Sequence, residues 1–239
     1  MLLVYLIQLN KCSPTDLIMS TLTYIPEAKQ RDIMRYRHSD DARRSLSGYC
    51  QAHIALSFHT GLPLSNIEMK KTAYGKPYIE DFAQVDFNIS HSNNKVVVAI
   101  STEGQVGIDI EFMRKIPSEN ISSLFTEYEN SLIGLPNHFS LEKFYKLWTL
   151  KESYLKFCGT GLLLPTKAIQ FLAIDHIMEY KTDTGRTLNF KTLDAGNDYM
   201  VSLCTNFHIG EIHTINKSES CLYKAYLDLH KKEREVIRS

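Results

Sequence analysis

The stretch Trp148-Thr-Leu-Lys-Glu-Ser-Tyr-Leu-Lys156 constrains this chain more than any other. Helical spacing gathers Phe144, Leu147, Tyr154, Leu155 and Cys158 into one apolar sector, with Tyr145, Glu152 and Lys156 along its edge. The pattern predicts a helix over 140–158, stopped by Gly159 and Gly161. Glu152 and Lys156 stand one turn apart on the same side. An exposed pair of that kind contributes only about 0.3–0.5 kcal/mol, so stability is a poor reason to set it beside a core. Lys151 falls in the middle of the apolar sector. A buried ammonium without a partner is strongly destabilising, so Lys151 requires an anionic partner, a route for its tip to water, or an anionic ligand. A helix that simply packs, with surface charges at its margin, is the competing reading.

Around this helix the chain alternates between strand and helix patterns. Residues 2–9 read as a first strand: they are too short to span a bilayer and lack the basic start and cleavage site of a signal peptide. Pro26 and Glu27 open a helical region that breaks near His38-Ser-Asp40 and resumes through Phe58, with Ser39 or Asp40 as its cap and Gly61 and Pro63 at its end. Strands are expected at 67–70, 87–90, 95–101 and 106–112, the middle pair forming a hairpin across Asn93-Asn94. Short helices over 118–134 follow. The last third reads as strands at 168–173, 188–193, 199–205 and 211–215, then a terminal helix over 219–236. Thr60-Gly-Leu-Pro-Leu64 is echoed by Thr160-Gly-Leu-Leu-Leu164, each after a long helix. That echo points to two similar halves joined near Ser101–Gly107.

Charge narrows the partners. Lys and Arg total 27, as do Asp and Glu, so no global basic field invites nucleic acid. Locally, Lys29, Arg31, Arg35, Arg37, Arg43 and Arg44 outnumber Asp32, Asp40 and Asp41, a patch suited to a small polyanion rather than a duplex. The cysteines, Cys12, Cys50, Cys158, Cys204 and Cys221, are odd in number and show no C-x-x-C spacing, which fits a reducing cytoplasm without structural zinc.

Three groups could carry chemistry. In Gly107-Ile-Asp109-Ile-Glu111, strand alternation turns both acids to one face and Val106, Ile108 and Ile110 to a core. Two such carboxylates repel unless a cation lies between them, and Mg²⁺ takes one or two carboxylates with water and phosphate oxygens. Gly107 on the same face lets a ligand approach. A solvated strand face has the same pattern. Asn88-Ile-Ser-His-Ser92 offers hydroxyls and an imidazole at a strand end, suited to phosphate or to a plain polar hairpin tip. Tyr74-Gly-Lys-Pro77 presents Lys76 at a turn, either to a ligand or to water.

Taken in order, Asp41-Ala-Arg-Arg-Ser-Leu-Ser-Gly48, Gly75-Lys-Pro77, Phe87-Asn-Ile-Ser-His-Ser92, Gly107-Ile-Asp-Ile-Glu111, Trp148-x-x-Lys-Glu-Ser-x-x-Lys156 and Gly159-x-Gly-Leu162 resemble the 4′-phosphopantetheinyl transferases, most closely the monomeric surfactin-type (Sfp-type) group. The resemblance implies an α+β pseudo-dimer, each half a small antiparallel sheet packed against a long helix. The halves would be residues 1–104 and 105–239, with the active site between them. It implies that coenzyme A is gripped by Lys29, Arg44, Ser45, Lys76, Ser90, His91 and Ser92. Asp109, Glu111 and Glu152 would bind Mg²⁺, with Mn²⁺ as the alternative metal, and Lys156, supported by Lys151, would act on the pyrophosphate. Glu152 is the expected base, with Glu129 second. Asp32 stands where relatives often carry a second basic residue, and Arg31 is its expected substitute.

The expected reaction moves the 4′-phosphopantetheine arm of coenzyme A to a serine of an acyl or peptidyl carrier protein, leaving adenosine 3′,5′-bisphosphate. The carrier is expected to dock on 112–135, through Phe112, Met113, Leu124, Phe125 and Tyr128. A cytoplasmic monomer without nucleic-acid or membrane partners completes the expectation. A non-catalytic coenzyme A or nucleotide-binding module, needing no carboxylates, and an Mg²⁺-dependent phosphoester hydrolase are the alternatives.

Overall fold

The computed structural model describes residues 1–11, 14–117, 121–161, 164–175, 177–182 and 184–238. The first half runs β1 (Leu2–Gln8), α1 (Thr15–Leu22), α2 (Glu27–Met34), α3 (Ser39–Thr60), β2 (Met69–Lys71), β3 (Pro77–Ile79), β4 (Asp86–Ser92) and β5 (Lys95–Ser101). The rest of the chain forms β6 (Val106–Phe112), α4 (Glu127–Leu132), α5 (Leu141–Cys158), β7 (Ile177–Lys181), β8 (Thr187–Leu193), β9 (Tyr199–Thr205), β10 (His213–Ser218) and α6 (Glu219–Arg238). The larger sheets have the orders β10-β1-β5-β4 and β6-β9-β8-β7, and β2 and β3 form a small hairpin.

The near-continuous apolar runs of β1 and β5 are explained by burial on both faces. Leu3, Tyr5, Ile7, Val96, Val98 and Ile100 pack under α3 and α6. On the opposite face, Leu2, Val4, Leu6, Val97 and Ala99 meet Val106, Ile108 and Ile110 of β6 and Val201 and Leu203 of β9. This shared apolar layer joins the halves. The second sheet carries α5 on its far side, where Phe144, Leu147, Leu150 and Phe157 pack with Phe190, Met200 and Cys204. The fold is thus the expected α+β pair of halves, each a sheet against a long helix.

The tail departs from the expected division at 104/105. Strand β10 pairs in parallel with β1, so the first sheet is mixed, and α6 packs on the first half's core. Leu222, Tyr223 and Tyr226 of α6 are fully buried there, and Glu219 meets the Arg43 guanidinium, Nε to Oε1 3.0 Å. Arg43, counted from sequence in the basic patch, is therefore a tie between α3 and the tail.

Other local expectations shift. Helix α1 was not foreseen. His38 occupies the N-cap of α3, with Ser39 already helical. The strand expected over 168–173 is absent: a short 3-10 turn covers Thr166–Ala168, and the edge strand is Ile177–Lys181. Ile169 and Phe171 are buried at strand spacing, but their backbone serves other groups. The Ile169 carbonyl accepts from Lys151 at 2.6 Å, and the Phe171 N–H donates to Glu129 at 2.9 Å. Gly61 closes α3 in the left-handed region at φ 72°, whereas α5 is closed by Gly159 at φ 66°, two residues ahead of Gly161. The sequence echo therefore does not align the helix ends, and Leu162 and Leu163 lie outside the described residues. Among those residues no helix is long and apolar enough to cross a membrane, and Cys50, Cys158, Cys204 and Cys221 are free thiols. Cys12 lies outside them.

Candidate active site

Strands β4 and β6 meet where the two halves touch, and their side-chain bonds make the site. The backbone of β6 pairs with β9 on one side only, which leaves the N–H groups of residues 106, 108, 110 and 112 to be satisfied on its free edge. Alternate side chains of β4 satisfy them. Asp86 Oδ2 accepts from Val106 N–H at 2.8 Å, Asn88 Oδ1 from Ile108 at 3.1 Å, Ser90 Oγ from Ile110 at 3.3 Å and Ser92 Oγ from Phe112 at 3.0 Å. The face of the first sheet that is apolar on β1 and β5 turns polar on β4, where it reaches this edge.

Helix α5 lies directly on β6. It starts at Ser140, whose hydroxyl accepts the Lys143 N–H. A Cβ on Gly107 would sit 2.1 Å from the Ser153 carbonyl oxygen and 2.3 Å from the Phe157 nitrogen. Gly107 thus admits the helix backbone, and the expectation that it admits a ligand is corrected. Gly107→Ala should displace α5 and destabilise the protein by about 1–3 kcal/mol, read as a lower Tm. A Tm equal to that of the unaltered protein would show that the close approach does not matter.

That approach delivers Lys156 to the seam. Its Nζ is 2.6 Å from both Ser90 Oγ and Asp109 Oδ1, and Ser90 Oγ donates to the same Asp109 oxygen at 2.8 Å. Ser92 Oγ donates to Glu111 Oε2 at 2.8 Å. Asp109 is buried, and its other oxygen, Oδ2, is buried with no hydrogen-bond partner. Burial and then the charge of Asp109 raise the pKa of Glu111, with Ser92, Lys156 and the Trp148 indole pulling the other way. Glu152 is raised by burial, then by Asp109, with Lys156 opposing and Glu111 adding.

Three carboxylates therefore share one lysine. Among the described residues, no group of three or more His, Cys, Asp or Glu side chains is drawn together around a metal position. A divalent cation still fits the donors. The orphaned Asp109 oxygen and the mutual repulsion of the acids both call for positive charge, and Mg²⁺ needs only one or two carboxylates from the protein.

The raised pKa of Glu152 has a consequence for stability. The folded state holds this proton more tightly than the unfolded chain, so the stabilisation is present in acid and is lost as pH rises through the folded pKa. Glu152→Gln should therefore raise Tm at neutral pH without divalent cation, and the difference should vanish in acid below the ordinary glutamate range. Thermal melts of both proteins across that range check this, and a neutral-pH Tm no higher in the variant counts against it.

Two clefts open along the seam. One, of about 270 Å³, is lined by Tyr74, Gly75, Lys76, Pro77, Asn88, Ile89, Glu152, Leu155, Lys156, Gly159 and Gly161. The other, of about 500 Å³, is lined by Arg44, His91, Ser92, Asn93, Glu111, Phe112 and Arg114. Matches to known proteins cover the same ground. A family model for the 4′-phosphopantetheinyl transferase N-terminal region matches residues 12–103, and one for the 4′-phosphopantetheinyl transferase superfamily matches 105–204. A 4′-phosphopantetheinyl transferase of Bacillus subtilis is 32% identical over 180 residues, 74% of this chain and 80% of that protein. The 4′-phosphopantetheinyl transferase Sfp of Bacillus subtilis (strain 168) is 30% identical, covering 77% of this chain and 83% of its own. An L-aminoadipate-semialdehyde dehydrogenase-phosphopantetheinyl transferase of Xenopus laevis is 28% identical, covering 78% and 68%.

The chain belongs to the 4′-phosphopantetheinyl transferase superfamily.

For a phosphopantetheinyl transferase, the remaining predicted residues fall into distinct places. Lys29 Nζ donates to Ser45 Oγ at 3.0 Å and stands 5.8 Å from the centre of the Tyr49 ring, and burial lowers its pKa. Arg44 pairs with Asp41 and donates to the Asn93 carbonyl, beside His91 in the larger cleft. His91 is exposed in the cleft; crowding by surrounding protein, then Arg44 and Lys156, lower its pKa. Arg31 pairs with Glu27 at 3.5 Å and Asp32 with Arg35 at 4.0 Å, on the surface.

Lys76 is not presented at a turn tip. Its ammonium folds into the seam, 2.8 Å from Asp86 Oδ2, 3.2 Å from the Val106 carbonyl and 3.3 Å from that of Phe157, so all three donors are engaged. Lys151 lies outside both clefts. It is fully buried, 2.7 Å from the fully buried Glu129 carboxylate, and also donates to the carbonyls of Thr166 and Ile169. Burial lowers its pKa against the pull of Glu129. Lys151 and Glu129 thus form a buried pair that lines neither cleft, the first of the three solutions open to a lysine in an apolar sector.

Of the residues expected to meet a carrier, Phe125 is core, Met113 and Leu124 pack against it, and Phe112 leans on Tyr199 with ring centres 5.2 Å apart. Tyr128 is exposed. Sequence reasoning missed Arg114, an exposed cation lining the larger cleft. Its place two residues past Phe112, at the end of the acid-bearing strand, was the available signal.

Proposed function

We propose that this phosphopantetheinyl transferase moves 4′-phosphopantetheine from coenzyme A to a carrier-protein serine. The observation that carries the reading is the cluster of Lys156, Asp109 and Ser90, three side chains from α5, β6 and β4 within 2.8 Å of one another at the seam of the halves. Lys29, Ser45, Arg44 and His91 form the polar, cationic side suited to the phosphates of coenzyme A. Bound between Asp109 and Glu111, with Glu152 close by, Mg²⁺ would neutralise pyrophosphate charge.

In this reading the serine oxygen attacks the β-phosphorus, and the bond from that phosphorus to the bridging oxygen breaks. Glu152, with its raised pKa, takes the serine proton, and the leaving group departs as adenosine 3′,5′-bisphosphate. Lys156 stabilises charge that grows on the transferring group and the leaving phosphate. Asn88 and Ser90 hold the β6 backbone still while this happens. Docking of the carrier is assigned to the exposed side of 112–135, where Arg114, Lys115 and Tyr128 stand out. The free thiols of Cys50, Cys158, Cys204 and Cys221 suit a reducing compartment such as the cytoplasm.

Intact-mass spectrometry tests the reading. With coenzyme A, Mg²⁺ and an apo-carrier, the carrier should gain one phosphopantetheine. Coenzyme A consumed without labelled carrier would instead indicate a hydrolase, and no reaction at all a binding module.

A further inference from the structure

We infer that Ser90 and Ser92 are positioning residues for Asp109 and Glu111, and do not hold coenzyme A through their hydroxyls; the inference rests on reading those acids as a divalent-cation site. A serine hydroxyl has one hydrogen and two lone pairs. At Ser90 the hydrogen points to Asp109 Oδ1 at 2.8 Å, while the lone pairs receive the Ile110 N–H at 3.3 Å and Lys156 Nζ at 2.6 Å. That hydroxyl is saturated. At Ser92 the hydrogen goes to Glu111 Oε2 at 2.8 Å, and the Phe112 N–H, 3.0 Å away, takes a lone pair.

Phosphate oxygens need donors. Each hydroxyl has a single proton, already directed at a carboxylate, so either serine could serve coenzyme A only by letting its acid go. The neighbouring rungs of β4 show what the serines add. Asp86 and Asn88 also accept β6 N–H groups, but a carboxylate cannot donate, and Asp86 turns to Lys76 instead. Only at 90 and 92 does a β4 side chain both hold the β6 backbone and donate to an acid of that strand. One oxygen of each carboxylate is thereby fixed from the opposite half. At Asp109 the other, Oδ2, is the buried atom without a partner.

Hydrogen bonds that orient a metal-binding carboxylate typically change metal affinity by about 10–100-fold. The test uses full-length Ser92→Ala, Ser90→Ala and Ser92→Thr. Mn²⁺ binding is followed by electron paramagnetic resonance of the free ion, and coenzyme A binding by calorimetry in chelator without divalent cation. Mn²⁺ affinity should fall about 10–100-fold in both alanine variants, recover in Ser92→Thr, and coenzyme A affinity should stay as in the unaltered protein. A merely structural role would weaken both ligands together, and that result overturns the inference. So does the reverse pattern, weakened coenzyme A with Mn²⁺ binding intact. Failure of the unaltered protein to bind Mn²⁺ would overturn the metal reading itself, and shows before any variant is made.

Discussion

Replacing Lys156 with alanine is expected to lower kcat by about 10²–10³-fold, with a much smaller change in coenzyme A affinity. Its ammonium lies 2.6 Å from Asp109 Oδ1 and from Ser90 Oγ, and its charge also bears on Glu111 and Glu152. In the ground state much of its charge is answered by Asp109. As the P–O bond to the leaving group breaks, negative charge grows beside it, and the contact strengthens only then. Arginine should not restore the rate, because a planar guanidinium cannot occupy the compact position that the ammonium fills between two oxygens. Steady-state kinetics at saturating Mg²⁺, with coenzyme A binding measured separately, provide the check. Equal losses in kcat and affinity would mean that Lys156 merely binds substrate.

Lys151→Ala is expected to act on stability, lowering it by about 3–5 kcal/mol, because it leaves the Glu129 carboxylate charged and fully buried. All three Lys151 donors are satisfied inside the second half, by Glu129, Thr166 and Ile169, and the Phe125 and Phe171 rings lie within 6 Å of the ammonium at 5.8 and 5.9 Å. Combining Lys151→Met with Glu129→Gln removes both charges and should recover most of the loss, since no unpaired charge is then left buried. Denaturant unfolding measures the recovery. The folded double variant should then turn over nearly as fast as the unaltered protein, and a well-folded but inactive double variant would return Lys151 to the chemistry.

These expectations mark where sequence reading succeeded. The helix over 140–158 and the strand over 106–112 follow from periodicity alone, because each buries one side against a core and the apolar spacing records it. The Asn93-Asn94 turn was legible for a similar reason: its conformation, φ 51° at Asn93, is a local preference of asparagine. The odd position of Lys151 was legible too, but not which of three remedies the fold uses.

What failed has a common cause. Ile169 and Phe171 have strand spacing, yet a buried ion pair takes their backbone groups. Gly107 could as well have made room for a ligand as for a helix backbone. Lys76 was expected at a turn tip because nothing local indicates the Asp86 carboxylate and two carbonyls that draw it inward.

By itself, then, the sequence determined most of the elements, the pairing of Asp109 with Glu111 on one strand face, and the setting of Glu152 and Lys156 along one helix edge. Tertiary structure decided which groups those side chains meet: Lys156 with Asp109 and Ser90, Lys151 with Glu129, and Arg43 with Glu219, 176 residues away. Backbone periodicity is a property of near neighbours and is written in the local order of residues. The choice of a hydrogen-bond partner depends on which distant surfaces the buried apolar layers bring together, and only the folded chain fixes that.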